Sequence, residues 1–593
     1  ADFSEGTMIR STTLRTTRRT GRRNDCLGGV LVFTALLAGL PAADAAAVDA
    51  PARGRRGMVV CAEPAAGHAA VAVLREGGSA ADAAITAAFV LAVTEPYASG
   101  LGGGGLIVGY DRHERRAYAL DARETAPAAA TPQMFLGDDG TVVADRSRTG
   151  ALSVAVPGLV RGLWQLHQSC GRLPWPRLLA PAVTLARDGF AMPEMLTARL
   201  AEQHALGRLA ADFQAVFLPQ GRLPDPGDRL VQGDLARTLS QLAQAGPAAF
   251  YTGEIAAAMV AAVQAAGGLL TTDDLAAYRA VWREPIRGHY RGHTVVSMPP
   301  PSSGGVHLVQ MLNILADFDL AAAGYGSAEA WHPMLEAMKL AYRDRSLYLG
   351  DPDFSTVPVD WLISRARADS LRAGLRHDRV AMPAEEPAGG VPAAVVSPEP
   401  EHTTHVSVVD ADGNAVAATL TINLVFGSGM LAAGTGVILN DQMDDFAAAA
   451  HAPNAFGLIQ GEANAVAPGK RPLSSMTPTL VLDRDDVVLV AGSPGGSVII
   501  TATLQAIIHV LDFGMDARQA VSAPRVHHQW SPADAWHESF GMSPSTRREL
   551  ERRGHTFRTR PLMGNVQLIV RDRAAGIWTG ASDPRGMGLA IGY

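Results

Sequence analysis

Thr403-Thr404-His405-Val406-Ser407-Val408-Val409 is followed by Asp410-Ala411-Asp412-Gly413-Asn414 and then by a second β-prone run, Ala415–Asn423. Asp, Gly and Asn tolerate left-handed backbone, so this pattern predicts a hairpin. With the turn centred on Asp412, Thr403 faces Thr421 and His405 faces Thr419. Directly opposed Cβ atoms lie about 4.5–5.5 Å apart, within reach of a threonine–threonine hydrogen bond. Were the chain cut before Thr403, the new α-amine would have a pKa of about 7.7–8.0 and act as a base at neutral pH. Nucleophile and base would then share one residue, the N-terminal threonine solution to activating a weak alcohol. Taken alone, the same residues also describe an ordinary strand with exposed β-branched side chains.

A second chemical segment is Gly492-Ser493-Pro494-Gly495-Gly496-Ser497, set between an apolar strand, Val487–Val490, and an apolar helix, Val498–Val510. Glycines between a strand and a helix N-terminus let backbone N–H groups converge on an anion. No Lys-Ser/Thr follows, so this is not a Walker loop. Paired N–H groups here suit the oxyanion of an acyl-transfer intermediate. Upstream, Arg471-Pro472-Leu473-Ser474-Ser475-Met476 offers adjacent hydroxyls, and Asn440-Asp441-Gln442-Met443-Asp444-Asp445 offers amides and acids. Hydroxyls suit a carboxylate and an acid suits an ammonium, so together they describe a pocket for a zwitterion. Each alone is also ordinary turn chemistry. His527 and His528 are adjacent and would point to opposite faces of a strand. With no HExxH and no spaced Cys/His set, neither a metal nor a cofactor is expected.

These residues need elements to hold them. Ala62–Val93 reads as helices, with Ser79 and Asp82 forming a capping box. Ser99–Gly105 is glycine-rich and precedes a strand, Leu106–Tyr110. That order, helix then glycines then strand, is the reverse of a dinucleotide fingerprint, and close backbone packing explains it better. The middle, about 155–380, reads mostly as Ala/Leu-rich helix, with Ala328–Tyr348 a core helix. The Pro/Glu-rich stretch 383–402 reads as an exposed linker. Beyond it the chain is β-rich and then mixed, giving an α+β class.

At 593 residues, 47% hydrophobic, 18% charged and with net charge −7, the chain can bury a large core and is not disordered. Past the first few dozen residues no basic stripe suits nucleic acid. Six arginines between Arg10 and Arg23 precede the apolar run Leu27–Leu40 and Ala43-Asp44-Ala45, the pattern of an export signal ending near residue 45. An uncleaved anchor is the alternative; after removal of the signal no membrane association is expected. Of the 3 cysteines, Cys26 leaves with this segment. Cys61 and Cys170 could pair in an oxidising compartment, but free thiols fit two isolated positions better.

Taken together the chain resembles the gamma-glutamyltranspeptidase (glutathione hydrolase) family of N-terminal-nucleophile hydrolases, from about Gly57 to Tyr593. The resemblance is carried by Leu120–Pro127, Pro300–Gly305, the Thr403 run, Asn440–Phe446, Arg471–Met476, Ser493–Ser497 and Ala581–Arg585, in the family's order. It implies a four-layer αββα sandwich formed jointly by two subunits, 46–402 and 403–593, after self-cleavage between His402 and Thr403. It implies Thr403 as nucleophile, Thr421 as its hydrogen-bond partner, and Gly495 and Gly496 as the oxyanion hole. Arg123, Ser474 and Ser475 would bind the glutamyl α-carboxylate; Asn423, Gln442 and Asp445 would bind the α-amino group. Arg123 fits chemically, since a guanidinium grips a carboxylate with two hydrogen bonds; a surface salt bridge is its plainer reading. The implied donors are glutathione and other γ-glutamyl compounds, and the acceptors water, amino acids or dipeptides, in the periplasm or outside the cell. At Phe456, within the lid-like Pro453–Gly457, bacterial relatives commonly carry Tyr, so the balance of hydrolysis against transfer stays open. Two other functions remain: a cephalosporin or glutaryl acylase on the same scaffold, and an unprocessed exported binding protein.

Overall fold

The computed structural model describes residues 50–381, 402–449 and 452–593. The export segment 1–45 and the linker at 383–402, His402 excepted, lie outside them.

Strands Thr404–Val409 and Ala415–Thr421 form the predicted hairpin, with Thr404 opposite Leu420 and His405 opposite Thr419. One carboxylate holds the turn. Asp410 accepts from the N–H groups of Asp412 and Asn414 and from the Asn414 amide at 2.9–3.0 Å. It also accepts from the Ala80 N–H at 3.0 Å, tying the turn to the start of helix Ala80–Thr94. Gly413, at φ +84°, makes the left-handed step that a side chain would resist. Both strands are buried along their whole length, because Met58–Cys61 pairs with the first and Gly104–Asp111 with the second. The reading as an exposed strand is therefore excluded.

This hairpin is the centre of a seven-stranded sheet ordered Leu589–Gly592, Met58–Cys61, Thr404–Val409, Ala415–Thr421, Gly104–Asp111, Arg116–Ala122, Val281–Arg283. A second seven-stranded sheet runs Ala52–Gly54, Ile577–Ser582, Gln567–Asp572, Asp486–Gly492, Thr479–Asp483, His293–Ser297, Ile286–Tyr290. Side chains alternate between faces along each strand, which sorts the core into layers. Met58, Val60, Leu106 and Val108 pack with Val296, Leu480 and Val490 of the facing sheet. Val59, Cys61, Val406 and Val408 instead join helices Pro64–Arg75 and Ala80–Thr94. Helices Gly304–Leu315, Ala328–Tyr348 and Val498–Leu511 cover the second sheet's outer face. The architecture is a four-layer αββα sandwich. Strands from before and after position 403 are mixed in both sheets, so a cut there would leave two interlaced pieces.

The capping box at Ser79 and Asp82 is present, and the helix it opens is buried on every side. Gly103 lies so close to the hairpin that a Cβ there would meet the Thr421 carbonyl oxygen at 2.1 Å. Close backbone packing is thus what the glycine run provides. The stretch 155–380 departs from its helical reading at Val281–Arg283, Ile286–Tyr290 and His293–Ser297, which feed strands to both sheets. These strands are only three to five residues long and carry Arg, His and Gly, too little alternation to stand out from an Ala/Leu-rich background. Cys61 and Cys170 are free thiols.

Candidate active site

Thr403 immediately precedes the central strand, and its Oγ lies 3.1 Å from Thr421 Oγ. Thr421 Oγ also accepts from the Asn423 N–H at 2.9 Å, an arrangement that Asn423 reaches at φ +76°. Two residues along, His405 bonds Thr419 at 2.8 Å and Ser407 at 3.2 Å. Its ring occupies the space where a Cβ on Gly492 would lie, 2.1 Å away, so it clamps the nucleophile's strand to the start of the glycine loop. Burial pushes the His405 imidazole down to about 3, which keeps it neutral and unsuited as a base.

The loop turns at Gly495 (φ +132°) and Gly496 (φ +56°) into helix Val498–Leu511. A Cβ on Gly496 would meet the Phe456 ring at 2.3 Å. The N–H groups of both glycines donate to no acceptor among the described residues. At a helix N-terminus such donors are matched to a developing negative charge.

A narrow cavity joins these parts: Arg123, Thr403, Thr421, Asn423, Gln442, Asp445, Ser474, Ser475, Phe456 and Gly496 all line it. Gly495 and His402 belong instead to a cleft of about 400 Å³ that shares Thr403, Gly496 and Phe456. Arg123 is 1% exposed and donates to Asp445 at 2.5 Å and to the Pro472 carbonyl at 3.2 Å; it is no surface ion pair. Gln442 donates to the same Asp445 oxygen at 2.8 Å, while its own amide oxygen is buried without a partner among the described residues. Burial raises the Asp445 carboxyl, and the Arg123 charge opposes that shift. Ser474 is fixed through its backbone, accepting from Ser303 and donating to the Pro301 carbonyl at 2.8 Å each. The Pro300–Gly305 motif therefore places the hydroxyl loop. The segment Pro453–Gly457, expected to act as a lid, is pinned by neighbouring acids: Asn454 donates to Asp445 at 3.1 Å and the Ala455 N–H to Asp444 at 2.9 Å.

Three contributors were not singled out from sequence. Arg345, 2% exposed, reaches Ser303 at 3.0 Å and Ser475 at 3.4 Å, adding a second cation behind the hydroxyls. Burial pushes its guanidinium down to about 10. It sits in Ala328–Tyr348, where an arginine among apolar core residues was the available signal. Glu124 is buried 3.8 Å from the Arg123 guanidinium, its carboxylate oxygens taking no hydrogen bond from another described residue, and burial pushes it up to about 7. Asn454 bridges lid and pocket, a role that no local pattern marks. Among the described residues, no group of three or more His, Cys, Asp or Glu is placed to hold a metal.

An αββα sandwich that opens between its sheets onto a strand-initial threonine is the architecture of N-terminal-nucleophile hydrolases, and this chain has that architecture. Within that class, the family described as Gamma-glutamyltranspeptidase matches residues 66–593, and the chain belongs to it. It is 44% identical to the glutathione hydrolase proenzyme of Escherichia coli (strain K12) over 547 residues, covering 92% of this chain and 93% of that one. It is 38% identical to the Acylase ACY 1 proenzyme of Pseudomonas sp. (strain SE83) over 553 residues, covering 91% and 94%. The solved cephalosporin acylase from Bacillus halodurans superposes with a TM-score of 0.79 at 27% identity, over 92% of this chain and 97% of that one.

Gly496→Ala would force a side chain into both left-handed backbone and the Phe456 ring. Misplacing one oxyanion donor typically costs about 10²–10³ in kcat, and a loss of that size with little change in KM is expected from steady-state kinetics.

Proposed function

We propose that the chain is the precursor of a self-processing γ-glutamyltransferase and glutathione hydrolase, cut between His402 and Thr403 into subunits 46–402 and 403–593. The observation that carries this reading is the cavity in which Thr403 Oγ and a buried pair of opposite charges, Arg123 and Asp445, meet. A γ-glutamyl group carries a carboxylate and an ammonium on the carbon remote from its reacting carbonyl. Its carboxylate would take Arg123 with Ser474 and Ser475, and its ammonium would take Asp445, Gln442 and Asn423. That anchoring presents the γ-carbonyl to Thr403.

Once the α-amine is free, it accepts the proton as Oγ adds to the γ-carbonyl carbon. The oxyanion that forms is held by the Gly495 and Gly496 N–H groups. Collapse expels the amine, which takes the proton from the α-ammonium, and leaves a glutamyl ester on Thr403. Water, an amino acid or a dipeptide then attacks this ester by the same steps in reverse order. The 400 Å³ cleft beside Thr403 is the route for leaving and attacking amines. Of its four arginines, Arg199, Arg558 and Arg585 each have a carboxylate partner. The Arg560 guanidinium carbon lies over Trp536, 3.5 Å from the ring centroid, and this cation suits the carboxylate of a peptide acceptor.

An acylase is the competing reading, favoured by the likeness to acylases in sequence and in structure. A glutaryl or similar side chain has no ammonium, and such an enzyme would have no use for Asp445. The leader supports export, and we place the mature protein in the periplasm or beyond; recovery in the periplasmic fraction of a Gram-negative host checks this, and retention in the cytoplasm contradicts it.

Thr403→Ala is expected to remain one uncut chain on a denaturing gel and to release no amine from a γ-glutamyl anilide; two normal bands would refute self-cleavage. Asp445→Asn keeps the shape but removes the charge, and a charged hydrogen bond of about 3 kcal/mol corresponds to roughly a hundredfold loss of kcat/KM on glutathione. Retention of full activity on glutathione would instead favour the acylase.

A further inference from the structure

The base that the mature enzyme uses does not exist before the first cut, because the Thr403 nitrogen is then an amide. Self-cleavage, which rests on the reading above, moves two protons: one leaves Oγ as it adds to the His402 carbonyl carbon, and one must reach the Thr403 nitrogen as the C–N bond breaks. An amide nitrogen does not depart as an anion, so an acid has to stand near it.

His402 and Thr403 line the 400 Å³ cleft together with Glu63, Glu95, Tyr97 and Arg199. The Thr403 side chain faces Thr421, whereas the next side chain along the strand, Thr404, faces the helical layer and lies beside Glu95. Glu95 is thus on the opposite face of the strand from the nucleophilic oxygen, in the cleft that His402 and Thr403 also line. Its neighbours are committed elsewhere. Glu63 Oε2 accepts from the Ala66 N–H and the Thr94 hydroxyl at 3.0 Å, the Cys61 thiol donates to the Glu63 carbonyl at 3.0 Å, and Arg199 pairs with Glu202 at 3.1 Å. Tyr97 donates to Glu95 Oε1 at 3.0 Å. Glu95 Oε2 is buried and makes no well-formed hydrogen bond among the described residues; the neighbouring Thr404 hydroxyl is its polar contact.

The carboxyl is also placed to keep a proton. Glu95 is 5% exposed and caps the C-terminus of Ala80–Thr94, the negative end of a fully buried helix. Burial, with Glu63 adding a like charge, pushes it up to about 7. A raised carboxyl is in its acid form below that value and loses the proton as pH rises through it.

We propose that Glu95 is the general acid of self-cleavage, giving its Oε2 proton to the Thr403 nitrogen as the bond from His402 breaks. The Oγ proton passes to solvent water in the cleft, and the Glu95 carboxylate is reprotonated from that water. On balance one C–N bond is exchanged for one C–O bond and a proton moves from oxygen to nitrogen. Water then hydrolyses the ester, freeing the His402 carboxylate and the α-amine that serves every later turnover.

The test is a short cell-free synthesis pulse of the full chain, followed by transfer to buffers from pH 5.5 to 8.5 and gel measurement of the cut fraction with time. The wild-type rate is expected to fall as pH rises through about 7. Glu95→Gln should be cut at least tenfold more slowly at pH 6.5, with no slope across that range. Glu95→Asp, which keeps an acid, should restore the slope, as a merely misfolded chain would not. His402 is the other titratable group at the bond, and His402→Gln should keep the slope. Wild-type rate and slope in Glu95→Gln, a flat Glu95→Asp profile, or loss of the slope in His402→Gln would each overturn the role of Glu95. An uncut wild-type chain, or cutting of Thr403→Ala, would instead overturn self-cleavage itself.

Discussion

Two hydroxyls 3.1 Å apart across a hairpin set the geometry on which every other part of the site depends. In a strand, a slip of one residue turns every side chain to the other face. Such a slip would aim the nucleophile at the helical layer and Thr404 at the glycine loop. Several independent contacts forbid it. Asp410 fixes the turn and fastens it to a helix N-terminus. His405 is held by Thr419 and by the absence of a side chain on Gly492. Thr421 is seated by the close approach of Gly103. The nucleophile is placed by contacts of its neighbours, so cutting the peptide bond beside it need not disturb it.

Burial then decides which groups are left to act. His405, His527 and His307 sit deep enough that their imidazoles stay neutral, pushed down to about 3, 3 and 4. They serve as hydrogen-bonding spacers. Carboxyls respond in the opposite sense: Glu95 and Glu124 are both lifted to about 7, one in the cleft that His402 and Thr403 line and one beside the Arg123 guanidinium. With these three histidines held neutral, the groups left beside Thr403 to move protons are its own amine once processing frees it, His402 and the buried carboxyls.

What the sequence made legible follows from how local each signal is. The hairpin, its register, the capping box at Ser79 and the core helix Ala328–Tyr348 are written within short windows, and the structure reproduces them. The glycine loop could be read because strand, glycines and helix are contiguous. The gathering of Arg123, Asp445 and Ser474 could not, since more than three hundred residues separate the first from the others and only resemblance linked them. Arg345 and Glu95 lie in or beside helices whose patterns report core packing, so their polar function is masked by their surroundings. The strands within 281–297 escaped notice because they are three to five residues long, and the two at sheet edges, Val281–Arg283 and Ile286–Tyr290, carry charge and leave little periodicity behind.

The buried contact between Arg123 and Asp445, 2.5 Å long, has a consequence for what the pocket rejects. Any guest bearing a single charge must pull one partner away and leave the other's charge buried without its counter-ion, a penalty of several kcal/mol. A guest carrying both signs swaps one internal pair for two external ones and incurs no such penalty. Under the proposed reading the contact works as a two-key lock, favouring a guest with both charges over a dicarboxylate or a lone amine by the cost of the partner left behind.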